Sequence, residues 1–338
     1  MKPIYPLRYR AALLAAYQTN PLRALLSLQL AEKTIEAPAA GQLLVQMEAA
    51  PCNPSDIAFM QGGYNVVKPL PAVPGFEGVG VVADVGPDLD PAWIGQRVSV
   101  FIQGQSDGTW AEFVLVSPKH ILPAPAGFTV EQAAMFFINP FTAWGLMEIA
   151  TVPSVLMNAA GSRLGEYVLA LSKQRQMHII GIVRKEQTSE TLIKRGFDSV
   201  LISSSPDFEQ QLRQAIQRFQ PRLFLDAVAG EQCGQVASLL PPDSRVVVYG
   251  GLSGKEISGI SALQLIFKKL IISGFDLNAW FAAAGSEKVS EVSRQLSQII
   301  RNNEVQNRVA ITVGLDELAK GLRHYLGAMS EGKMLIRF

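Results

Sequence analysis

Val155-Leu156-Met157-Asn158-Ala159-Ala160-Gly161-Ser162-Arg163-Leu164-Gly165 is the stretch on which the fold turns. An apolar run passes through small residues straight into a helical pattern. Free backbone N–H groups and the positive end of a helix therefore gather where a pyrophosphate can sit. The loop is not a clean GxGxxG, and its small residues equally serve close packing of helix on strand. Around it the reading alternates: apolar runs at Val155–Ala160, His178–Val183, Ser199–Ile202, Leu223–Val228, Arg245–Tyr249 and Leu270–Phe275 are separated by helical patterns such as Phe208–Phe219 and Ser261–Lys269. Continuous apolar strands are buried on both faces, which predicts a doubly wound parallel sheet.

The second of these strands ends at Val183 and is followed by Arg184 and Lys185, with Arg184 nineteen residues past Gly165. An acidic residue there would hold the ribose hydroxyl of NAD, whereas a guanidinium accepts a 2′-phosphate. The cations favour NADPH. The bland alternative is a solvated Arg-Lys pair at a strand end, and the neighbouring Glu186 keeps that reading open.

Upstream of residue 125 the texture differs. Short runs at Leu43–Met47, Val79–Val85, Arg97–Ile102 and Ala111–Val116 are separated by Gly, Pro, Asn and Asp, which predicts a mostly antiparallel barrel or sandwich. Gly75-Phe76-Glu77-Gly78-Val79-Gly80 is glycine-rich, but it leads into an alternating strand and not a helix, so it lacks the context of a phosphate loop. Its glycines read as turn and close-approach positions. The first 30 residues carry Lys2, Arg8, Arg10 and Arg23 and no acid, which superficially resembles a transit peptide. A strand at Tyr9–Tyr17, a turn at Pro21 and an apolar segment at Leu25–Leu30 favour a structural hairpin instead. After Asn278 come a helix near Ser286–Asn303, a short strand, a helix around Leu315–Met329 and a final strand in Lys333–Phe338.

At 338 residues the chain suggests two domains. Hydrophobic residues at 48% and charged residues at 17% describe a folded globular protein. Thirty basic against 29 acidic side chains give a net charge of +1, too little for a surface that binds nucleic acid by counterion release. No run of eighteen apolar residues predicts a membrane span. Two distant cysteines, Cys52 and Cys233, exclude a disulfide framework and a cysteine-rich zinc lobe, and point to a reducing, cytoplasmic setting.

Asn53-Pro54-Ser55-Asp56, Val73-Pro74-Gly75-Phe76-Glu77-Gly78-Val79-Gly80, Gly108-Thr109-Trp110-Ala111-Glu112 and the strand-helix order resemble the medium-chain dehydrogenase/reductase superfamily over nearly the whole chain. That resemblance implies an α/β protein with a GroES-like β-barrel built from both chain ends, 1–124 and 278–338, around a Rossmann NADPH-binding domain at 125–277. Zinc alcohol dehydrogenases place Cys where this chain has Asn53 and His where it has Phe76. Three suitable donors are needed for catalytic zinc, so no metal is expected. Gln61-Gly62-Gly63-Tyr64, Ile138-Asn139-Pro140-Phe141-Thr142-Ala143, Ser162, Val183-Arg184, Tyr249-Gly250-Gly251 and Leu265-Ile266-Phe267-Lys268 are similar to the NADPH-dependent trans-2-enoyl-thioester reductases of mitochondrial type. Quinone oxidoreductases stand next. Arg163 departs from both, replacing a usual glycine beside the phosphate loop.

The resemblance implies a zinc-independent oxidoreductase that reduces an activated C=C by conjugate addition: hydride to the β-carbon, an enolate, then a proton to the α-carbon. Tyr64 is the implied proton donor, with Asn53 and Thr142 as further catalytic residues. Asn139, Tyr249, Gly250 and Gly251 would border the nicotinamide, while Ala160, Ser162, Arg163 and Leu164 would face the pyrophosphate. Arg184 would take the 2′-phosphate, and Phe275 would line the cofactor or acyl pocket or merely pack. The alternatives are an NADPH:quinone or alkenal reductase and a non-catalytic NADPH-binding protein. A small-molecule substrate and a homodimer are the implied partners, and nucleic acid and membrane are excluded.

Overall fold

The computed structural model describes residues 5–306, 308–329 and 331–338; Lys2 lies outside them. The chain forms two compact units, one running through Ile138 and completed by Gln306–Phe338, the other spanning Asn139–Val305. The sequence had suggested divisions at 124/125 and 277/278. The first unit reaches further because the Ile138 N–H donates to Glu77 Oε2 at 3.0 Å. The second unit keeps the segment after Leu277 because Trp280 and Phe281 pack their rings, tilted, against Phe141, with ring centres 5.8 and 5.0 Å away.

In the first unit β1 (Arg8–Leu14) pairs antiparallel with β2 (Leu28–Thr34) from Arg8↔Thr34 to Leu14↔Leu28. Between them lies the short helix α1 (Pro21–Leu26). Pro21, expected in a turn, sits in the first helical turn, where its missing N–H costs nothing, and the Asn20 side chain accepts from the Leu22 and Arg23 N–H groups. There follow β3 (Leu43–Pro51), α2 (Pro54–Met60), β4 (Glu77–Val85), β5 (Arg97–Phe101), β6 (Phe113–Val116), β7 (Ile121–Pro123) and α3 (Val130–Ala134). Leu43, Val45, Met47, Val98, Val100, Val114 and Val116 bury one face of this sheet as a single core. Gly75 shows why the glycine-rich segment is a close approach: its φ is +96°, and a Cβ there would lie 2.4 Å from Trp110 Cδ1.

The second unit runs α4 (Ile138–Glu148, whose first residue ends the first unit), β8 (Ser154–Met157), α5 (Arg163–Gln174), β9 (His178–Val183), α6 (Glu186–Arg195), β10 (Ser199–Ile202), α7 (Phe208–Phe219), β11 (Leu223–Asp226), α8 (Gly230–Leu239), β12 (Arg245–Val248), α9 (Ala262–Phe267), β13 (Ile271–Gly274) and α10 (Leu277–Arg301). Its six strands are parallel in the order β10-β9-β8-β11-β12-β13. The chain builds outward from β8 to one edge and then restarts on the other side at β11. The β8/β11 boundary is therefore the switch point, outside whose carboxyl ends such sheets bind ligands. Both strands stop short of the expected ends because the backbone turns: Ala159 has φ +48°, and Ala229 has φ +60°. Gly285, at φ 72° and ψ 166°, breaks α10 into two helical pieces. The helix expected from Ser286 corresponds to the second.

β14 (Val309–Val313), α11 (Leu318–Ala328) and β15 (Lys333–Arg337) return the chain to the first unit. They complete a seven-stranded sheet ordered β14-β15-β3-β4-β5-β7, with β6 on β3. Among the described residues no helix is long and apolar enough to cross a membrane.

Candidate active site

Asn158 closes β8 inside the sheet. Its Nδ2 donates to Asp226 Oδ1 at 2.5 Å, and its Oδ1 accepts from the Ala227 N–H at 2.7 Å. Asp226 in turn accepts from the Val228 and Ala229 N–H groups at 2.9 and 3.0 Å. The two strand ends at the switch point are thus laced together by one amide and one carboxylate, both fully buried. The strained Ala229 backbone is the cost of wrapping the turn around Asp226, and such strain concentrates at functional sites.

From that fixed point the chain enters the loop that leads into α5. The Ser162 N–H donates to Ala159 O at 2.9 Å, and Ser162 Oγ accepts from the Gly165 N–H at 3.2 Å. Ser162 is therefore the cap of α5, and its amide, expected to face a pyrophosphate, is spent within the turn. Arg163 and Leu164, the first two residues of α5, have no carbonyl four residues back to receive their N–H groups. Gly165 lets α5 pack on the strand end, since a Cβ there would meet Ala160 O at 2.1 Å. The Arg163 side chain, only 9% exposed, turns onto the helix: Glu166 accepts from Arg163 on one oxygen and from Arg195 on the other, each at 2.5 Å. Arg163 is thus held by its neighbours and does not stand over the loop.

Arg184 lies exposed at the end of β9, where its carbonyl accepts from Ser204 Oγ at 2.8 Å. Tyr249, Gly250 and Gly251 follow β12, next to the switch point, where the Tyr249 N–H donates to Asp226 O at 2.9 Å. Asn139 and Thr142 share α4, and Thr142 is buried. Asn139 Nδ2 and Tyr249 Oη are buried polar atoms without a hydrogen-bond partner among the described residues. Burial pushes the Tyr249 phenol well above its ordinary range, so it stays protonated as a donor. Two orphaned buried donors at the positions expected beside a nicotinamide fit a ligand rich in acceptors. Phe275 packs on α4, where a Cβ on Gly145 would lie 2.5 Å from its ring; the structure gives it a packing role within the unit.

In the first unit Asn53 is 1% exposed, and both ends of its amide are engaged. Its Nδ2 donates to Glu77 Oε1 at 2.9 Å, and its Oδ1 accepts from Lys333 Nζ. The Asn53 N–H donates to Asp56 Oδ2 at 2.7 Å. Asn53, expected as catalytic, is therefore a bridge between a buried ammonium and a buried carboxylate. Burial raises the Glu77 carboxyl above its usual range and pushes Asp56 up to about 7. Phe76 fills its own position with ring contacts to Phe59 and Tyr64. Among the described residues no group of three or more His, Cys, Asp or Glu side chains could hold a metal ion. Tyr64 lies on the loop after α2, its ring 5.2 Å from that of Phe76, and its Oη accepts from Gln103 Nε2 at 2.8 Å.

Sequence reasoning missed Lys333, Glu77, Asp226 and Gln103 as parts of these centres. Lys333 carried a signal, a cation opening the final strand directly before the apolar run Met334-Leu335-Ile336. Gln103 carried none, being one polar loop residue among several.

Residues 39–126 match the alcohol dehydrogenase GroES-like domain family, and residues 164–298 match the zinc-binding dehydrogenase family. The chain is 31% identical over 307 residues to the mitochondrial enoyl-[acyl-carrier-protein] reductase of Caenorhabditis elegans, covering 88% of this chain and 87% of that one. The chain belongs to the medium-chain dehydrogenase/reductase superfamily. Within that superfamily the human mitochondrial enoyl-[acyl-carrier-protein] reductase is 27% identical over 344 residues, covering 98% of this chain and 89% of its own. A Mesorhizobium loti protein assigned as an NADPH:quinone reductase superposes with a TM-score of 0.90 at 28% identity, over 99% of both chains. This medium-chain dehydrogenase/reductase is thus similar both to enoyl reductases and to a quinone reductase.

Proposed function

We propose that this protein is an NADPH-dependent oxidoreductase that reduces the activated C=C of a trans-2-enoyl thioester. The observation that carries the reading is the 307-residue match to an enoyl-[acyl-carrier-protein] reductase, which spans the loop bearing Tyr64. NADPH, when bound, supplies the hydride for the β-carbon. The Arg163 and Leu164 amides and the α5 N-terminus would hold its pyrophosphate. Arg184 would hold the 2′-phosphate, while Asn139 Nδ2, Thr142 and Tyr249 would orient the nicotinamide, with Gly250 and Gly251 leaving room for it. Tyr64 donates the proton to the α-carbon as the enolate collapses, and a phenol of ordinary pKa about 10 holds that proton at neutral pH.

The match to a quinone reductase favours a second reading, in which a quinone takes the hydride and water protonates the product. One experiment separates them: NADPH oxidation with crotonyl-CoA and with small quinones, in the wild type and in Tyr64→Phe. The expected loss in kcat on the enoyl thioester is about 10²–10⁴, the usual span for a general acid, with NADPH titration unchanged and quinone turnover little affected. Full enoyl turnover in Tyr64→Phe would put the quinone reading first. NADPH binding without turnover of either class would leave a non-catalytic role.

The proposal extends to a cytoplasmic homodimer. Cys52 and Cys233 are buried free thiols, in keeping with a reducing compartment. The edge strand β13 exposes Ile271 at 50%, and the neighbouring α9 exposes Ile266 at 62% and Phe267 at 75%. An uncovered apolar sheet edge of this kind invites pairing with a second copy. Sedimentation of the wild type beside Phe267→Glu tests the dimer, and cell fractionation tests the compartment.

A further inference from the structure

The loop that carries Tyr64 is tied down by a second loop. Just past β5, Gln103 Nε2 donates to Tyr64 Oη at 2.8 Å. Two residues on, Gln105 Nε2 donates to Val67 O at 3.1 Å, and Lys68 Nζ donates back to Ser106 O at 2.5 Å. Tyr17 adds a further tie: its Oη donates to Lys68 O at 2.9 Å and accepts from the Lys68 N–H at 2.8 Å. Residues 64–68 are therefore held at several points, although Asn65 and Val67 are exposed.

The direction of the Gln103 bond matters more than its existence. A side-chain amide nitrogen only donates. Tyr64 Oη is the acceptor, so its own proton lies away from Gln103. Donation into the phenolic oxygen also stabilises the charge that grows there as the proton leaves, because hydrogen bonds to a charged oxygen are the stronger ones. A glutamate of the same shape would reverse the bond: its carboxylate only accepts, and would draw the Tyr64 proton toward itself.

We propose that Gln103 is a positioning residue for the protonation step, fixing Tyr64 Oη as an acceptor toward the protein so that its proton is delivered to the substrate. The inference rests on the reading of Tyr64 as proton donor. In that step the Tyr64 O–H bond breaks, the enolate electron pair forms the new Cα–H bond, and the phenolate left on Tyr64 is reprotonated by water. Gln103 gives up no proton.

The test compares Gln103→Glu and Gln103→Met, each in the wild type and in Tyr64→Phe, by NADPH oxidation with crotonyl-CoA between pH 5 and 8. At pH 7.5 Gln103→Glu is expected to lower kcat by about 10², approaching the Tyr64→Phe level. Gln103→Met, which removes one hydrogen bond without reversing it, is expected to cost roughly tenfold. KM values for NADPH and crotonyl-CoA stay near those of the wild type. The Gln103→Glu loss shrinks as pH falls toward the carboxylate range of about 4.3, since a protonated carboxyl donates as the amide does. In Tyr64→Phe neither substitution adds a further loss. Additive losses in that background, or full kcat in both Gln103 variants while Tyr64→Phe is impaired, would overturn the inference and leave the role of Tyr64 standing. A fully active Tyr64→Phe would remove both. Should Gln103→Glu fail to fold, Gln103→Met and its cycle with Tyr64→Phe decide the matter alone.

Discussion

Each unit buries an asparagine against a carboxylate, and the two pairs are built on opposite principles. In the first unit Asn53 bridges Lys333 and Glu77, with Asp56 beside it, so a buried cation offsets two buried acids. In the second unit Asn158 and Asp226 have, among the described residues, no cation as a hydrogen-bond partner; the carboxylate accepts from the backbone N–H groups of Val228 and Ala229 and from the Asn158 amide. A charge held by a charge joins distant parts of a chain, here β15 to the start of α2. A charge held by backbone amides shapes one turn, and that turn is the one beside the loop between β8 and α5. The first centre is therefore a staple, the second a mould.

Removing the cation breaks that contrast most severely. Lys333→Met leaves two buried carboxylates without compensation and is expected to destabilise the protein by about 3–5 kcal/mol, as for other broken buried pairs. Urea unfolding measures it, and a loss under about 1 kcal/mol would mean that the ammonium is not what holds Asn53 and Glu77. Asp226→Ala comes next. It strands the Val228 and Ala229 donors, at about 1–3 kcal/mol, and the misplaced loop is expected to raise the KM for NADPH as well. Loss of stability with an unchanged KM would detach the mould from the cofactor site.

Exposed charge in the second unit acts on ligand and not on fold. Arg184→Ala is expected to leave the unfolding midpoint in place and to raise the KM for NADPH roughly ten- to a hundred-fold, with NADH use nearly unchanged. Equal effects on the two cofactors would remove Arg184 from the 2′-phosphate.

A last effect, which shows only as pH is varied, follows from Asp56, which burial pushes up to about 7. An unfolded chain loses that proton near 3.9. Between the two values the folded state binds a proton that the unfolded state has released, so stability falls as pH rises from about 4 to about 7 and then levels off. Asp56→Asn keeps an acceptor for the Asn53 N–H and removes this titration. Its Tm relative to the wild type is expected to be higher at pH 8 than at pH 4, by several degrees. An equal difference at both pH values would show that Asp56 does not titrate in that interval.

The sequence by itself determined the class of the fold, because strands such as His178–Val183 and Ser199–Ile202 are continuous apolar runs and helices such as Phe208–Phe219 carry a clean periodicity. It also marked the tight turn from β8 into α5, since a strand running through small residues into a helix leaves few other conformations open. Strand ends were legible only to within a few residues: the chain turns at Ala159 and Ala229 next to Asn158 and Asp226, whose side chains tie the two strand ends together across 68 positions of sequence, and no local pattern records that. The polar centres were decided by tertiary structure alone. Lys333 lies 280 positions from Asn53, and Glu77 lies 24 from it; only the sheet that sets β15 against β3 and β3 against β4 brings them within hydrogen-bond reach. The same holds for Tyr64 and Gln103, 39 positions apart on two loops. A phenol can be named from sequence as a proton donor, but the direction of its hydrogen bond depends on which group folding places beside it.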